Sequence, residues 1–245
     1  MSIKSRVRQF ARKFGVEINR YNTAQSSAAR VGAQLAYHGV DCVIDVGAND
    51  GGYGRFIRST GFRGSVISFE PQAAAYERLK MASHSDPAWY IAPRMALGSA
   101  ESELEINIAG NSTSSSLLEM LPSHIESAPA SQYIGKEKVP VHRLDALNDP
   151  VIDAAQRIYL KIDTQGYEMP VLLGAEGIMK KVVGVQLEMS VIPLYEGQVL
   201  YKELLVWLEN CGFGMWRVDP GFMNQTTGRM LQFDGVFYRT MVTTG

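Results

Sequence analysis

Cysteine is scarce in this chain: Cys42 and Cys211 are the only two, and they stand far apart and outside any CxxC spacing. That excludes a disulfide scaffold and a cysteine-ligated zinc site, and it suits buried thiols in a reducing compartment. No apolar run approaches the ~20 residues of a membrane-spanning helix. The N-terminus is basic but lacks the continuous apolar segment of a secretion signal, so a cytoplasmic location is expected. Neither sign of charge is in excess, with 24 Lys+Arg against 25 Asp+Glu, which removes any global attraction for nucleic acid. Internal repeats and flexible linkers are absent too. A length of 245 residues, 46% of them hydrophobic, then describes one globular domain with room for a sizeable core.

The near-neutral total hides an uneven spread. Residues 1–20 hold Lys4, Arg6, Arg8, Arg12, Lys13 and Arg20 against the single acid Glu17, a local balance of +5. Ile3, Val7, Phe10 and Phe14 recur at helical spacing on one face. Two readings follow: a terminal helix packing its apolar stripe on the domain, or a basic amphipathic helix resting on an anionic membrane surface. Packing is preferred. Residues 1–40, including a second helix over about 24–38, are expected as an N-terminal helical extension, and 41–245 as the main domain.

From Asp41 onward, strands and helices alternate, the pattern of a mostly parallel sheet with helices on both faces. Strands are expected at Asp41–Val46, Ser65–Phe69, Ala88–Ile91, Arg157–Asp163 and Val182–Glu188. Helices are expected through about Ser59, over Gln72–Ala82, near Glu168–Glu176 and over Tyr201–Asn210. Phe213–Val218 and Gly235–Arg239 close the sheet. The rhythm changes midway, where Leu104, Ile106 and Ile108 alternate with polar residues and Val139 and Val141 suggest a partner strand. Between them, Asn111 to Gln132 is rich in serine with prolines, a long loop or lid.

Carboxylates mark the ends of the strands. Asp45, Glu70, Asp163 and Glu188 each fall at or just past a strand terminus, where open parallel sheets bind their ligands. Asp45 also begins a glycine-rich turn, Asp45-Val46-Gly47-Ala48-Asn49-Asp50-Gly51, that enters a helix. A dinucleotide site wants GxGxxG to hold a pyrophosphate, and Asn49 stands where the second glycine belongs. The turn therefore suits a nucleoside without a pyrophosphate, such as one carrying an amino-acid tail. Glu70 follows Gly51 by 19 residues, the distance at which a second-strand acid accepts hydrogen bonds from ribose hydroxyls. S-adenosylmethionine fits these demands best.

These segments carry a resemblance. VIDVGANDG (43–51), FEP (69–71) and LKIDTQGYE (160–168), followed by VQLE (185–188) and DGVFY (234–238), resemble the successive motifs of FkbM-family methyltransferases across roughly residues 40–240. The resemblance implies a class I, Rossmann-like α/β fold and an S-adenosylmethionine-dependent methyltransferase, usually acting on a hydroxyl of a sugar, glycan or natural product. By analogy Asp45, Gly47, Asn49, Gly51 and Glu70 hold the cofactor, with Tyr53 and Pro71 beside them. The acceptor and the oligomeric state are left open by it.

Methyl transfer from a sulfonium needs no acid for its leaving group, but an acceptor hydroxyl must lose its proton to a base or bind a metal. Asp163 is the first candidate base, with Glu168 and Glu188 close enough in the expected fold to complete a trio. Glu168 has a second reading as an acid at a helix N-terminus. Lys161 shares a face with Asp163 and either orients a carboxylate or touches the acceptor. The trio also offers oxygen ligands to a divalent cation without a specific metal signature, so metal use is left open. His142, on the strand leading to Asp145, is a further candidate base, and His124 lies in the Ser-rich loop. Two alternatives stay open: an N- or carboxyl-methyltransferase on a small-molecule acceptor, and a non-catalytic adenosyl-binding domain.

Overall fold

The computed structural model describes residues 7, 9–10, 13–15 and 21–240. Helix α1 (Ser27–Tyr37) leads into β1 (Cys42–Val46), α2 (Gly52–Ser59), β2 (Ser65–Phe69), α3 (Ala73–Ser83) and β3 (Trp89–Ile91). A central excursion contains β4 (Ala96–Leu97), β5 (Ser102–Ala109), α4 (Pro122–Ser127) and β6 (Tyr133–His142). After α5 (Pro150–Ala154) come β7 (Ile158–Ile162), α6 (Glu168–Leu173), β8 (Val182–Ser190), α7 (Tyr201–Asn210), β9 (Phe213–Pro220) and β10 (Gln232–Arg239). Seven strands form one sheet in the order β3-β2-β1-β7-β8-β10-β9. Neighbours from β3 to β8 are parallel, and β10 runs antiparallel to both β8 and β9. This is the mostly parallel α/β sheet that the strand–helix alternation predicts.

The central strands are apolar on both faces because both faces are covered. Cys42, Ile44 and Val46 of β1 join one cluster with Phe69, Leu160, Leu172 and Leu204. Val43 points the other way, to Val31, Leu35, Ile57 and Val66. A side chain as buried as Ile44, at 0% exposure, contributes about 1.5–3 kcal/mol. Val31 and Leu35 belong to α1, so the core begins inside the segment expected as an extension.

Three findings refine the sequence reading. The central excursion forms its own sheet, β4-β6-β5, with a small core of Ala96, Ile106, Val139 and Val141. Strand β6 starts at Tyr133 because its first half pairs through backbone with β5 while its side chains are mostly exposed, leaving no apolar alternation to read. Helix α6 stops at Leu173: a Cβ on Gly174 would lie 2.0 Å from the Gly98 carbonyl oxygen, so the chain turns there against the excursion. Most of the basic N-terminal segment lies outside the described residues. Of its apolar stripe, Val7, Phe10 and Phe14 are exposed, and the two phenylalanine rings meet each other at 5.1 Å, not the domain core. Among the described residues no helix is long and apolar enough to cross a membrane.

Candidate active site

A cavity of ≈ 460 Å³ opens at the carboxyl ends of β1, β2, β7 and β8, roofed by the Ser-rich loop. Its size and its position at the switch point of the sheet are those of a small-molecule site.

The β1–β2 side is built largely from backbone. Gly47 has φ +76, and a Cβ there would lie 1.9 Å from the Asp163 carbonyl oxygen, so only glycine lets the two turns approach. Asn49 holds φ +48, uncommon for a side-chain-bearing residue. Its N–H donates to Glu70 Oε2 at 2.7 Å while the Gln72 N–H donates to Oε1 at 2.8 Å. Burial pushes the Glu70 carboxyl up to about 7 against the pull of those two donors. Asn49 Oδ1 is buried without a partner, and at the start of α2 the Gly52 N–H donates to Asp50 Oδ1 at 3.0 Å. Gly47, Asn49, Tyr53, Glu70 and Pro71 all line the cavity. Two residues expected to touch a cofactor stand elsewhere. Gly51 (φ +83) faces Leu79 and Trp89, and Asp45 is wholly buried behind the wall.

Strand register explains Asp45. It pairs with Lys161 on β7 and with Ser68 on β2, and Lys161 pairs with Gln186 on β8. Partners in adjacent strands share a face, so Ser68, Asp45, Lys161 and Gln186 form one polar row. Lys161 Nζ lies 3.1 Å from Asp45 Oδ1 and 3.6 Å from Asp163 Oδ2, donates to the Gly47 carbonyl at 3.3 Å, and stands 5.2 Å from the centre of the Tyr53 ring. Dehydration favours the neutral amine, but Asp45 and Asp163 more than offset it and hold Lys161 protonated. The ammonium thus stands between Asp45 and Asp163 and itself lines the cavity.

Two residues further along each strand comes a second row. Gly47 and Asp163 stand in turns, Glu188 on β8, and Asp234 opposite it on β10. The Gln165 side-chain amide donates to Asp163 Oδ1 at 2.8 Å and to Glu188 Oε2 at 2.6 Å. Gln232 donates to the same Glu188 oxygen at 2.9 Å. An amide nitrogen thus occupies the space between the carboxylates where the trio would have held a cation. Burial and the charges of Asp163, Glu168 and Asp234 raise the Glu188 carboxyl well above its usual range.

Asp163 lines the cavity, whereas Glu168 and Glu188 do not. Glu168 Oε1 accepts from the Thr164 N–H and hydroxyl and the Gly166 N–H, tying the turn before α6. Its buried carboxyl is pushed up to about 7. These are the contacts of an acid with its own turn at a helix start. His142 is also displaced from the site: it belongs to the small sheet and pairs with Glu101 at 2.5 Å. His124 is buried against Tyr195 and Phe222, and burial lowers its pKa to about 4. Among the described residues no three His, Cys, Asp or Glu side chains gather in a way that could hold a metal ion.

Sequence reasoning missed Gln165, Gln186 and Asp234, all of which line the cavity. The signal was present as polar residues at i, i+2 near the ends of otherwise apolar strands: Lys161 and Asp163, Gln186 and Glu188. The Ser-rich loop supplies Ser112, Thr113, Ser115 and Ser116 to the wall, and Ser116 Oγ donates to the Gln165 carbonyl at 2.7 Å.

Fold and site together define a doubly wound α/β protein with a nucleoside-sized crevice at its switch point. Residues 45–215 match the profile of the methyltransferase FkbM domain, and the chain belongs to that family of S-adenosylmethionine-dependent methyltransferases. No curated protein matches it significantly. Solved structures similar to it include magnesium protoporphyrin IX methyltransferase from Synechocystis PCC 6803 with bound SAM, at 10% identity and TM-score 0.48, covering 98% of each chain. Another is a TehB-like SAM-dependent methyltransferase from Corynebacterium glutamicum, at 12% identity and TM-score 0.44, covering 97% of this chain and 96% of that one.

Proposed function

We propose that this methyltransferase transfers a methyl group to a hydroxyl of a sugar, glycan or glycosylated metabolite. S-adenosylmethionine supplies the methyl group, activated on a sulfonium sulfur. The residues present fit that cofactor. Glu70 keeps free carboxylate lone pairs for a ribose diol, and the unpartnered Asn49 Oδ1 suits the ammonium of an amino-acid tail.

The observation that carries the hydroxyl reading is Asp163. Its side chain is 37% exposed on the cavity wall, with Lys161 on one side and the Gln165 amide on the other. A carboxylate fixed at the crevice is placed to accept the proton that a hydroxyl must lose. Neither Glu168 nor His142 reaches the same space. A cytoplasmic setting belongs to this reading and is supported by Cys42 and Cys211, both free thiols.

The test is calorimetry with S-adenosylhomocysteine, followed by a methyl-transfer screen over simple glycosides and matched amines. Binding of S-adenosylhomocysteine with methylation of a glycoside hydroxyl is the expected result. Methylation of the amines alone would replace the hydroxyl reading with N-methylation.

A further inference from the structure

The cavity continues past Asp163 to side chains that the cofactor does not claim. Glu70 directly follows β2, on one side of the β1/β7 centre, whereas Gln186 and Asp234 stand on β8 and β10, on the other. A nucleoside held at Glu70 therefore leaves the β8–β10 end to the acceptor. The orientation of Gln186 is fixed there. Its Oε1 accepts from the Tyr53 hydroxyl at 2.9 Å and the Tyr159 hydroxyl at 3.1 Å, so the NH₂ group is turned away from both phenols. Burial raises the neighbouring Asp234 carboxyl above its usual range, and the Gln186 side chain opposes that rise. Asp234 is half-buried and lines the cavity, and the rings of Tyr53 and Phe56 provide an apolar wall at the same end.

A carboxylate on the cavity wall accepts from two hydroxyls at once, the neighbouring aromatic faces suit C–H-bearing ring surface, and a second carboxylate, Asp163, disfavours an anionic acceptor. We propose that Tyr53, Gln186 and Asp234 form a subsite for a vicinal diol of a neutral saccharide. Asp234 accepts from hydroxyls next to the one presented to Asp163. The assignment rests on the hydroxyl-acceptor reading above and extends it from a class of acceptor to the residue that selects it. A site built to bond a hydroxyl discriminates strongly against the analogue lacking it, because its polar group is then left unpaired.

Saturation-transfer NMR on the protein loaded with S-adenosylhomocysteine tests this. The probes are methyl α-L-rhamnopyranoside, methyl α-D-mannopyranoside and methyl β-D-galactopyranoside, their deoxy derivatives, and cyclohexylamine. At least one glycoside should bind wild type, and loss of one hydroxyl of its diol should remove the signal. Asp234→Ala should weaken binding about tenfold or more, Asp234→Asn less, and Tyr53→Phe least, since it keeps the ring and loosens only Gln186. Affinity for S-adenosylhomocysteine should stay within about twofold in the Asp234 variants, which also reports that they are folded. Absence of glycoside binding to wild type, equal binding by Asp234→Ala, or tighter binding of cyclohexylamine overturns the subsite. Failure of wild type to bind S-adenosylhomocysteine is a separate result, and it sinks the cofactor reading itself.

Discussion

The two sides of the crevice are made in different ways. On the β1–β2 side the wall is backbone, bent through positive φ at Gly47 and Asn49 and tied by two N–H groups to a single carboxylate, Glu70. On the β7–β10 side the wall is side chains bonded to side chains, from Tyr53 to Gln186 across 133 residues and from Gln165 to Glu188 across 23. Local turns can hold a common ligand whatever the acceptor is. A side-chain network can be rewritten one residue at a time, which suits the side that meets a variable acceptor. Lys161 joins the two, bridging Asp45 and the Gly47 carbonyl to Asp163.

The sharpest way to separate the sides is Asp163→Asn. It preserves size and removes the charge facing the acceptor. Methyl transfer to an accepted glycoside should fall about 10²–10⁴-fold in single turnover, while titration with S-adenosylhomocysteine moves far less. Wild-type rates would remove Asp163 from the chemistry and move attention to Asp234.

Breaking the seam should damage both sides at once. Lys161→Met leaves Asp45, at 0% side-chain exposure, without its cation. Removing one partner of a buried pair costs about 3–5 kcal/mol, which thermal or urea unfolding would read directly. Asp45→Asn added to Lys161→Met should return part of that stability, since no unpaired charge is then buried. An undiminished midpoint in the single variant would show that the pair is not a structural seam.

That division also decided what the sequence disclosed. The alternation of strands and helices, the Gly47 turn and Glu70 were legible because each is a short-range pattern with one physical meaning. Glu168 was ambiguous from sequence because an acid at a helix start serves either a ligand or its own turn. Three donors within four residues engage its Oε1 in the turn. Asp45 carried a motif position but not its burial, which follows from register against Lys161. Gln165, Gln186 and Asp234 were illegible for the same reason: their partners lie on other strands, and register is set by the assembled sheet.

The backbone-built side is tested through its one acid. Glu70→Ala removes charge-assisted hydrogen bonds of about 1.5–3 kcal/mol, a loss of roughly 10–150-fold in affinity for S-adenosylhomocysteine. Its carboxyl, usually near 4.5, sits at about 7 in the ligand-free fold. The folded state therefore holds this proton more tightly than the unfolded chain, and ionisation across that window lowers the stability of the free protein as pH rises. Ribose hydroxyls favour the carboxylate, so affinity should strengthen as pH climbs towards and through 7 and then level off. Glu70→Gln should flatten that profile. A wild-type affinity independent of pH from 5 to 8 (about the window in question) would show that Glu70 does not meet the diol.

Tyr195→Phe should have the smallest effect, and it asks how far the side-chain network depends on its outermost bond. The Tyr195 hydroxyl donates to Gln165 Oε1 at 2.8 Å, fixing which end of that amide faces Asp163 and Glu188. Gln165 itself stands at φ +54, a strained position for a side-chain-bearing residue, and its carbonyl is held by Ser116 of the roof. Phenylalanine keeps the ring against His124 and Gly166 and removes one neutral hydrogen bond of about 0.5–1.5 kcal/mol. Methyl transfer should drop about two- to tenfold, with affinity for S-adenosylhomocysteine unchanged, because Gln165 is then free to turn its oxygen towards two carboxylates. Restored transfer in Gln165→Ala over Tyr195→Phe would mean that a misoriented amide, not a missing one, causes the loss. A drop confined to cofactor affinity would instead erase the distinction between the two sides, since the network would then be serving the nucleoside.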